Sequence, residues 1–232
     1  MAHLLTVPFE NLSIHYGQPI ILQEELLFNK IVRQRRGGFC YELNGLFAWL
    51  LRQMGFRVML LSAEVANDAG GFSPPFDHLT LLVHDLDGAD WLADVGFGDC
   101  FRLPVRFEAE VEHTDADGRR YRLQWQDESE KNLVRAYWIL QQFGAEKWEP
   151  QYRFTLQPYQ LTDFTERCHY QQTSPESHFT QKRICSLATL TGRITLSDLL
   201  LITTIHEKRE ERLLQSEEEY QGVLAEMFGI VL

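Results

Sequence analysis

Apolar positions along the chain fall into two rhythms, one helical and one of strands. The helical rhythm is clearest at Leu43, Leu46, Phe47, Leu50, Leu51 and Met54, spaced i, i+3, i+4, i+7, i+8 and i+11 along one face. Gly55 follows at once, as expected just past a helix end. Near the C-terminus Tyr220, Val223, Leu224, Met227 and Phe228 repeat the rhythm, and Ser216 with Glu219 supplies a capping box. Residues 22–32, with glutamates early and a lysine late, read as a short helix, and residues 163–170 as another.

The strand rhythm begins directly after the first long helix. Residues 56–65 are rich in strand formers. Residues 78–83 are nearly all apolar, which predicts a central strand covered on both faces. Residues 91–95 follow, and Asp87-Gly88 between the two runs is a hairpin turn signal. Tyr121, Leu123 and Trp125 alternate with Arg122, Gln124 and Gln126, the pattern of a half-buried strand behind an Asp117-Gly118 turn. Residues 137–142 and 152–156 add strands, as do 184–187 and 194–205, joined near Thr191-Gly192. The charged run 207–212 reads as the solvated end of a strand or loop. Residues 67–75, with glycines and two prolines, form a loop that either only connects two strands or closes over a site. The pattern predicts a helical front section followed by a mostly antiparallel β section.

Cys40 opens the first long helix, behind Arg35-Arg36-Gly37-Gly38-Phe39. Aligned peptide dipoles at a helix N-terminus favour an anion, so this thiol is expected to ionise more readily than a free one. The glycine pair removes side-chain bulk, and another molecule is expected to approach the backbone there. Position alone leaves a nucleophile and an inert buried thiol evenly matched. A cysteine nucleophile needs a base, and the base an orienting group. Among eight histidines, His78 is best placed, opening an apolar strand directly after a loop. Asp94 interrupts an apolar strand, where a carboxylate must find a partner or suffer a large desolvation cost. His78 and Asp94 straddle the Asp87-Gly88 turn, which sets them roughly opposite each other. The bland alternative has Asp94 bonded to backbone amides and His78 merely ending a strand.

Composition narrows the function classes. A chain of 232 residues makes one domain or two closely packed ones, and 44% hydrophobic with 24% charged residues is ordinary for a globular protein. A net charge of −11 argues against nucleic acid or anionic membrane as partners. Basic pairs at Arg35-Arg36 and Lys182-Arg183 still admit an anionic small molecule. The four cysteines lie far apart and form no CxxC pair, and neither a signal peptide nor a bilayer-spanning apolar run is visible. The expectation is a cytoplasmic protein with free thiols and no disulfide framework.

With these residues in hand, the chain resembles the arylamine N-acetyltransferase family. The resemblance is carried by Pro8-Phe9-Glu10-Asn11-Leu12, by Arg35 to Cys40, by His78 and by Asp94-Val95-Gly96-Phe97-Gly98. It continues through Thr173-Ser174-Pro175-Glu176-Ser177-His178-Phe179 to Phe228-Gly229-Ile230, nearly the whole chain. It implies an α+β fold with the architecture of papain- and transglutaminase-like cysteine enzymes. That fold has a helical N-terminal domain carrying the nucleophile (1–55), an antiparallel β-barrel domain (56–157) and a C-terminal α/β lid (158–232). It implies a Cys40-His78-Asp94 triad, acetyl-CoA as co-substrate, no metal, and a small aromatic amine or hydrazine as acceptor. Self-association is left open. For CoA it points to Pro74 and Pro75 ahead of His78, to Tyr170 and to Ser177; Phe39, Phe97 and Phe101 are candidates to stack on a flat amine. The resemblance also implies roughly thirty residues more before Pro8 than the seven present, which would shorten the first domain rather than alter the site. Two other classes use the same features: a cysteine hydrolase or transglutaminase-like enzyme, and a catalytically silent interaction protein.

Overall fold

The computed structural model describes residues 1–130, 133–206 and 208–232. The front of the chain holds a short strand β1 (Phe9–Glu10), a single-turn helix α1 (Leu12–His15) and α2 (Glu24–Phe28), which runs on into a π-turn over Asn29–Arg33. Helix α3 (Cys40–Gln53) follows. It ends as its sequence requires, with Gly55 in the left-handed region at φ 91°.

Eight strands then form one antiparallel sheet: β2 (Arg57–Val65), β3 (His78–Leu86), β4 (Ala89–Ala93), β5 (Val105–Arg106), β6 (His113–Thr114), β7 (Arg120–Glu130), β8 (Leu133–Gly144) and β9 (Lys147–Tyr159). Their order, β5-β4-β3-β2-β9-β8-β7-β6, curls the sheet into a nearly closed barrel whose two shortest strands face each other across the seam. An isolated parallel bridge from Ala109 to Leu123 spans that seam. Leu61, Ala63, Leu82, Leu92, Tyr152 and Phe154 fill the interior. The β3–β4 turn is tight because Asp87 and Gly88 both adopt positive φ, 54° and 75°. Tyr121 and Leu123 are fully buried as their alternation predicts, whereas Trp125 is half-exposed.

The last third begins with a 3₁₀ turn (Leu161–Phe164) leading into α4 (Thr165–Thr173), then α5 (His178–Gln181). Strands β10 (Ile184–Thr189), β11 (Gly192–Ser197), β12 (Leu200–Ile205) and β13 (Lys208–Leu213) make a meander, and α6 (Glu217–Phe228) packs on it. Residues 194–205 are therefore two strands rather than one. The break comes at Asp198, which takes φ 47° without a glycine to announce it. Of the charged run 207–212, Glu207 lies outside the described residues and the rest is an exposed edge strand, the kind of edge that charge keeps from pairing with other chains. Ser216 accepts from the amide of Glu219, while Glu219 reaches back to the amide of Gln215, one residue beyond the usual box partner.

Two connections set the geometry of the site. Strand β1 pairs with β10, so a front segment completes a five-stranded sheet with the last third of the chain. A single apolar cluster also joins Phe39, Cys40 and Tyr41 to Leu79, Leu81 and Ala93 of the barrel, and to Phe164 and Cys168. Cys40 sits where all three parts of the chain meet.

Candidate active site

The loop before Cys40 is fixed by ion pairs rather than by its own turn chemistry. Glu10, fully buried, accepts from Arg36 at 3.0 Å and from the Leu12 amide at 2.6 Å. Glu42 accepts from the Phe39 amide at 3.1 Å and from Lys30 at 2.8 Å, capping α3 on its own first turn. The glycine pair exists for the chain itself. A Cβ on Gly37 would strike the Pro8 carbonyl, and one on Gly38 would come within 2.7 Å of the Glu42 side chain. The molecule expected to approach this backbone is thus the protein's own first strand and capping carboxylate.

Asn11 performs the same locking from the other side. Its amide group donates to the carbonyls of Phe179 at 2.9 Å and Lys182 at 2.8 Å, and its oxygen accepts from the Ile184 amide at 2.7 Å. Tyr41 then reaches forward from α3, donating to the Phe76 carbonyl at 2.8 Å. Phe76 is held at φ 65°, a costly conformation for a bulky residue, and its ring is wedged against Tyr159 and Phe164. Asp77, next in line, accepts from Arg167 at 2.7 Å and Gln171 at 2.6 Å on α4. The backbone entering His78 is therefore gripped from both the nucleophile helix and the last third.

His78 and Asp94 meet. His78 Nε2 lies 2.6 Å from Asp94 Oδ2, with both side chains buried. They are diagonal rather than directly opposite, because the ladder pairs Leu81 with Ala93 and so sets Asp94 across from Thr80. Every partner of the Asp94 carboxylate is a donor. Oδ1 accepts from Asn44 at 2.8 Å and from the Gly96 amide at 2.9 Å, and Oδ2 accepts from His78 and from the Tyr152 hydroxyl at 3.0 Å. Burial alone would raise this carboxyl, but His78, Asn44 and Gly96 overrule it and hold it below the usual carboxylate range. An ionised Asp94 on Nε2 places the ring's free nitrogen, Nδ1, on the opposite side.

Cys40 belongs to the same apolar cluster as Leu79, the residue after His78. Gly96, two residues after Asp94, packs on the Cys40 backbone. The expected easy ionisation is not what the fold provides. Burial pushes the Cys40 thiol up, with Cys168, Asp77 and Asp94 adding to the effect and the Leu79 amide opposing it. Cys40 is only 4% exposed, so lost hydration outweighs the helix dipole. A thiolate here needs an imidazolium beside it.

Two contributors escaped the sequence reading. Asn44 ties three parts together, donating to Leu79 O at 2.6 Å and to Asp94 while its oxygen accepts from the Val95 amide at 2.8 Å. Its signal was present: it is a polar residue one turn after Cys40 on a buried face. Tyr152, on β9, had no such signal, since only barrel closure brings it to Asp94. Gly96 is the third fixed point. A Cβ there would sit 2.8 Å from Cys40 Cα and 2.9 Å from its carbonyl, so Gly96→Ala is expected to lower kcat/KM at least about tenfold by levering the Asp94 loop off α3. Kinetics on a variant of unchanged circular dichroism will measure this.

The remaining candidates are spread more widely. Pro74 and Pro75 are exposed at the end of the 66–76 loop. The loop is pinned, not free: Ser73 accepts from the Val65 amide and Phe76 donates its amide to Ser62. Tyr170 lies on α4 with Arg167 stacked 4.2 Å from its ring centre. Ser177 is buried and caps α5, donating to Gln171 and accepting from Phe179. Of the three aromatics, only Phe97 lies against His78, at 5.0 Å between rings. Phe39 packs between Tyr41 and Phe179, and Phe101 against Tyr121 in the barrel. Among the described residues no cluster of three or more His, Cys, Asp or Glu is arranged to hold a metal ion, and no helix is long and apolar enough to cross a membrane.

The site combines a buried cysteine at a helix start with a buried His-Asp pair contributed by the start of β3 and the residue after β4. The N-acetyltransferase family model matches residues 1–232, and the chain belongs to the arylamine N-acetyltransferase family, whose members are acyltransferases. It is 32% identical to the pineal gland isozyme NAT-10 of Gallus gallus, over 99% of this chain and 84% of that protein. The solved arylamine N-acetyltransferase of Salmonella typhimurium superposes with a TM-score of 0.89 at 32% identity, covering 99% of this chain and 81% of the other. The structure from Bacillus cereus superposes at 0.87 with 27% identity, covering 100% and 88%, and is described as having a Cys-His-Glu triad. In this chain the carboxylate that meets His78 is Asp94.

Proposed function

We propose that the chain moves an acetyl group from acetyl-CoA to a small aromatic amine, hydrazine or hydroxylamine, in two steps through Cys40, with His78 as base and Asp94 as its orienting group. One observation supports this most: the buried 2.6 Å His78–Asp94 pair is tied to the Cys40 helix by Asn44, which bonds Asp94 at 2.8 Å, and by Gly96 packed on the Cys40 backbone. His78 takes the thiol proton to give a thiolate–imidazolium pair. The sulfur attacks the thioester carbonyl, the bond from that carbonyl to the CoA sulfur breaks, and the departing thiolate collects the proton from His78. The amine then attacks the acetyl-Cys40 carbonyl, gives its proton to His78, and restores the cysteine. Exchange between two thioesters is nearly balanced in energy, which suits sulfur as the carrier. The Phe39 and Gly38 amides are spent on Glu42 and Pro8, so the first-turn amides of Cys40 and Tyr41 are donors available to the carbonyl oxygen.

The CoA part of the donor would lie along the surface near Pro74, Pro75 and Tyr170. Pro74, Pro75 and Tyr170 flank the Asp77–Arg167 bridge on its exposed edge, with Ser177 beneath as the cap that shapes it. The near-complete burial of Cys40 favours transfer over hydrolysis, because water is kept from the acyl-enzyme. Intact-protein mass after brief exposure to acetyl-CoA is expected to rise by one acetyl group on Cys40 and to return on adding an aromatic amine. An adduct that decays equally fast without amine would indicate a hydrolase, and no adduct on folded protein would reject the donor.

A further inference from the structure

The barrel carries a cavity lined by none of Cys40, His78 and Asp94. It opens at the seam where β5 and β6, two residues each, fail to zip the sheet shut, and its volume is about 290 Å³. Its walls are apolar and largely flat: Trp91, Phe101, Leu103, Pro104 and Val105. Four polar residues, Tyr121, His113, Thr114 and Asp115, line it as well, and the first two are unsatisfied. Tyr121 is fully buried and its hydroxyl has no hydrogen-bond partner among the described residues; His113 Nε2 is likewise buried and unpartnered among them. A buried hydroxyl left unpaired is a cost that folded chains rarely carry without a reason. Asp115 is already spent on the amides of Arg102 and Leu103 at 2.7 and 2.9 Å, and Thr114 is exposed.

We propose that this seam cavity is a binding site for a small neutral aromatic molecule bearing a hydroxyl or amino group. The aromatic walls take the ring, and the Tyr121 hydroxyl and His113 Nε2 take the polar substituent. Size allows it: a dry cavity of roughly 150 Å³ already holds benzene, so this one accommodates one or two fused rings. Charge is excluded by the donors themselves. Burial pushes the Tyr121 phenol up, keeping it a neutral donor, and burial with Arg106 nearby pulls His113 down, keeping it neutral too. A carboxylate would meet no cation committed to it, and an ammonium no free anion. The site needs nothing from Cys40 and does not depend on the identity of the acetyl donor.

The test is calorimetric titration of the full chain with 2-naphthol, with naphthalene as the ring-only control. Tyr121→Phe removes one oxygen from an otherwise intact wall. It is expected to weaken naphthol about tenfold, the worth of one hydrogen bond, while leaving naphthalene binding and acetyl transfer unchanged. Leu103→Trp, at the half-exposed rim, is expected to fill the cavity and abolish both ligands. Equal naphthol affinity in wild type and Tyr121→Phe would overturn the assignment, as would the absence of saturable binding to the wild type. Because Tyr121→Phe only deletes an unpaired hydroxyl, its folding is not at risk.

Discussion

Cys40→Ala is expected to reduce acetyl transfer by at least about four orders of magnitude while its melting temperature moves by no more than a few degrees. The separation follows from where the sulfur sits. It packs in the cluster joining Phe39 and Tyr41 to the barrel, but none of the bonds that hold the site together runs through it. Those bonds belong to Glu10, Glu42, Asn44 and Asp94, all untouched by the change. Alanine leaves a gap of one atom, a small cost in a core of this size. Single-turnover kinetics with acetyl-CoA and an aromatic amine, beside a thermal melt, will measure both. Residual turnover near wild type would remove Cys40 from the mechanism.

Asp94→Asn should damage activity and fold together. All four partners of the carboxylate are donors, and an asparagine offers one oxygen and one NH₂ where two oxygens stood. If the oxygen stays on Asn44 and Gly96, the NH₂ faces His78 Nε2 and forces the ring to carry its proton on Nδ1, the side needed to receive one. That inverted tautomer is expected to cost about 10⁴ in kcat/KM. The mismatched donors are expected to cost about 2–4 kcal/mol, or roughly 5–10 °C in melting temperature. The pH dependence has a definite sign. A carboxyl held below its ordinary range contributes stability above its unfolded pKa and loses it as pH falls through the folded value. The gap between wild type and Asp94→Asn should therefore be full at neutral pH and narrow below about pH 4. A variant as stable as wild type at pH 7 would refute the account.

The parts legible in the sequence were those governed by short-range patterns. Helix α3, the Asp87-Gly88 hairpin and the capped final helix each carry their signal within a dozen residues. Asp94 was legible because a carboxylate in an apolar strand demands an explanation, and the nearest strand supplied one. Asn44 could have been found by the same logic. Other features were set by contacts the sequence cannot display. Tyr152 reaches Asp94 only after the barrel closes. The glycine pair faces Pro8 and Glu42 rather than a ligand. The Cys40 thiol is governed by burial, which periodicity reports only weakly, so the dipole argument was correct about direction and too small to prevail. The turn at Asp198 has no glycine, and a continuous apolar run hid it.

The pairing of β1 with β10 has a bearing on how the protein comes into being. Phe9 and Glu10 leave the ribosome early, yet their partners Ser186 and Cys185 follow only after most of the chain has been made. Until then Asn11 has no Phe179, Lys182 or Ile184 to bind, and the loop ahead of Cys40 lacks half its anchors. Closing so long a loop comes late and slowly. Throughout synthesis the thiol is exposed to water and oxidants without the Asp77–Arg167 grip on the strand that begins with His78. The nascent chain thus passes through a stage in which the Cys40 thiol is accessible and the elements packed around it are not yet assembled.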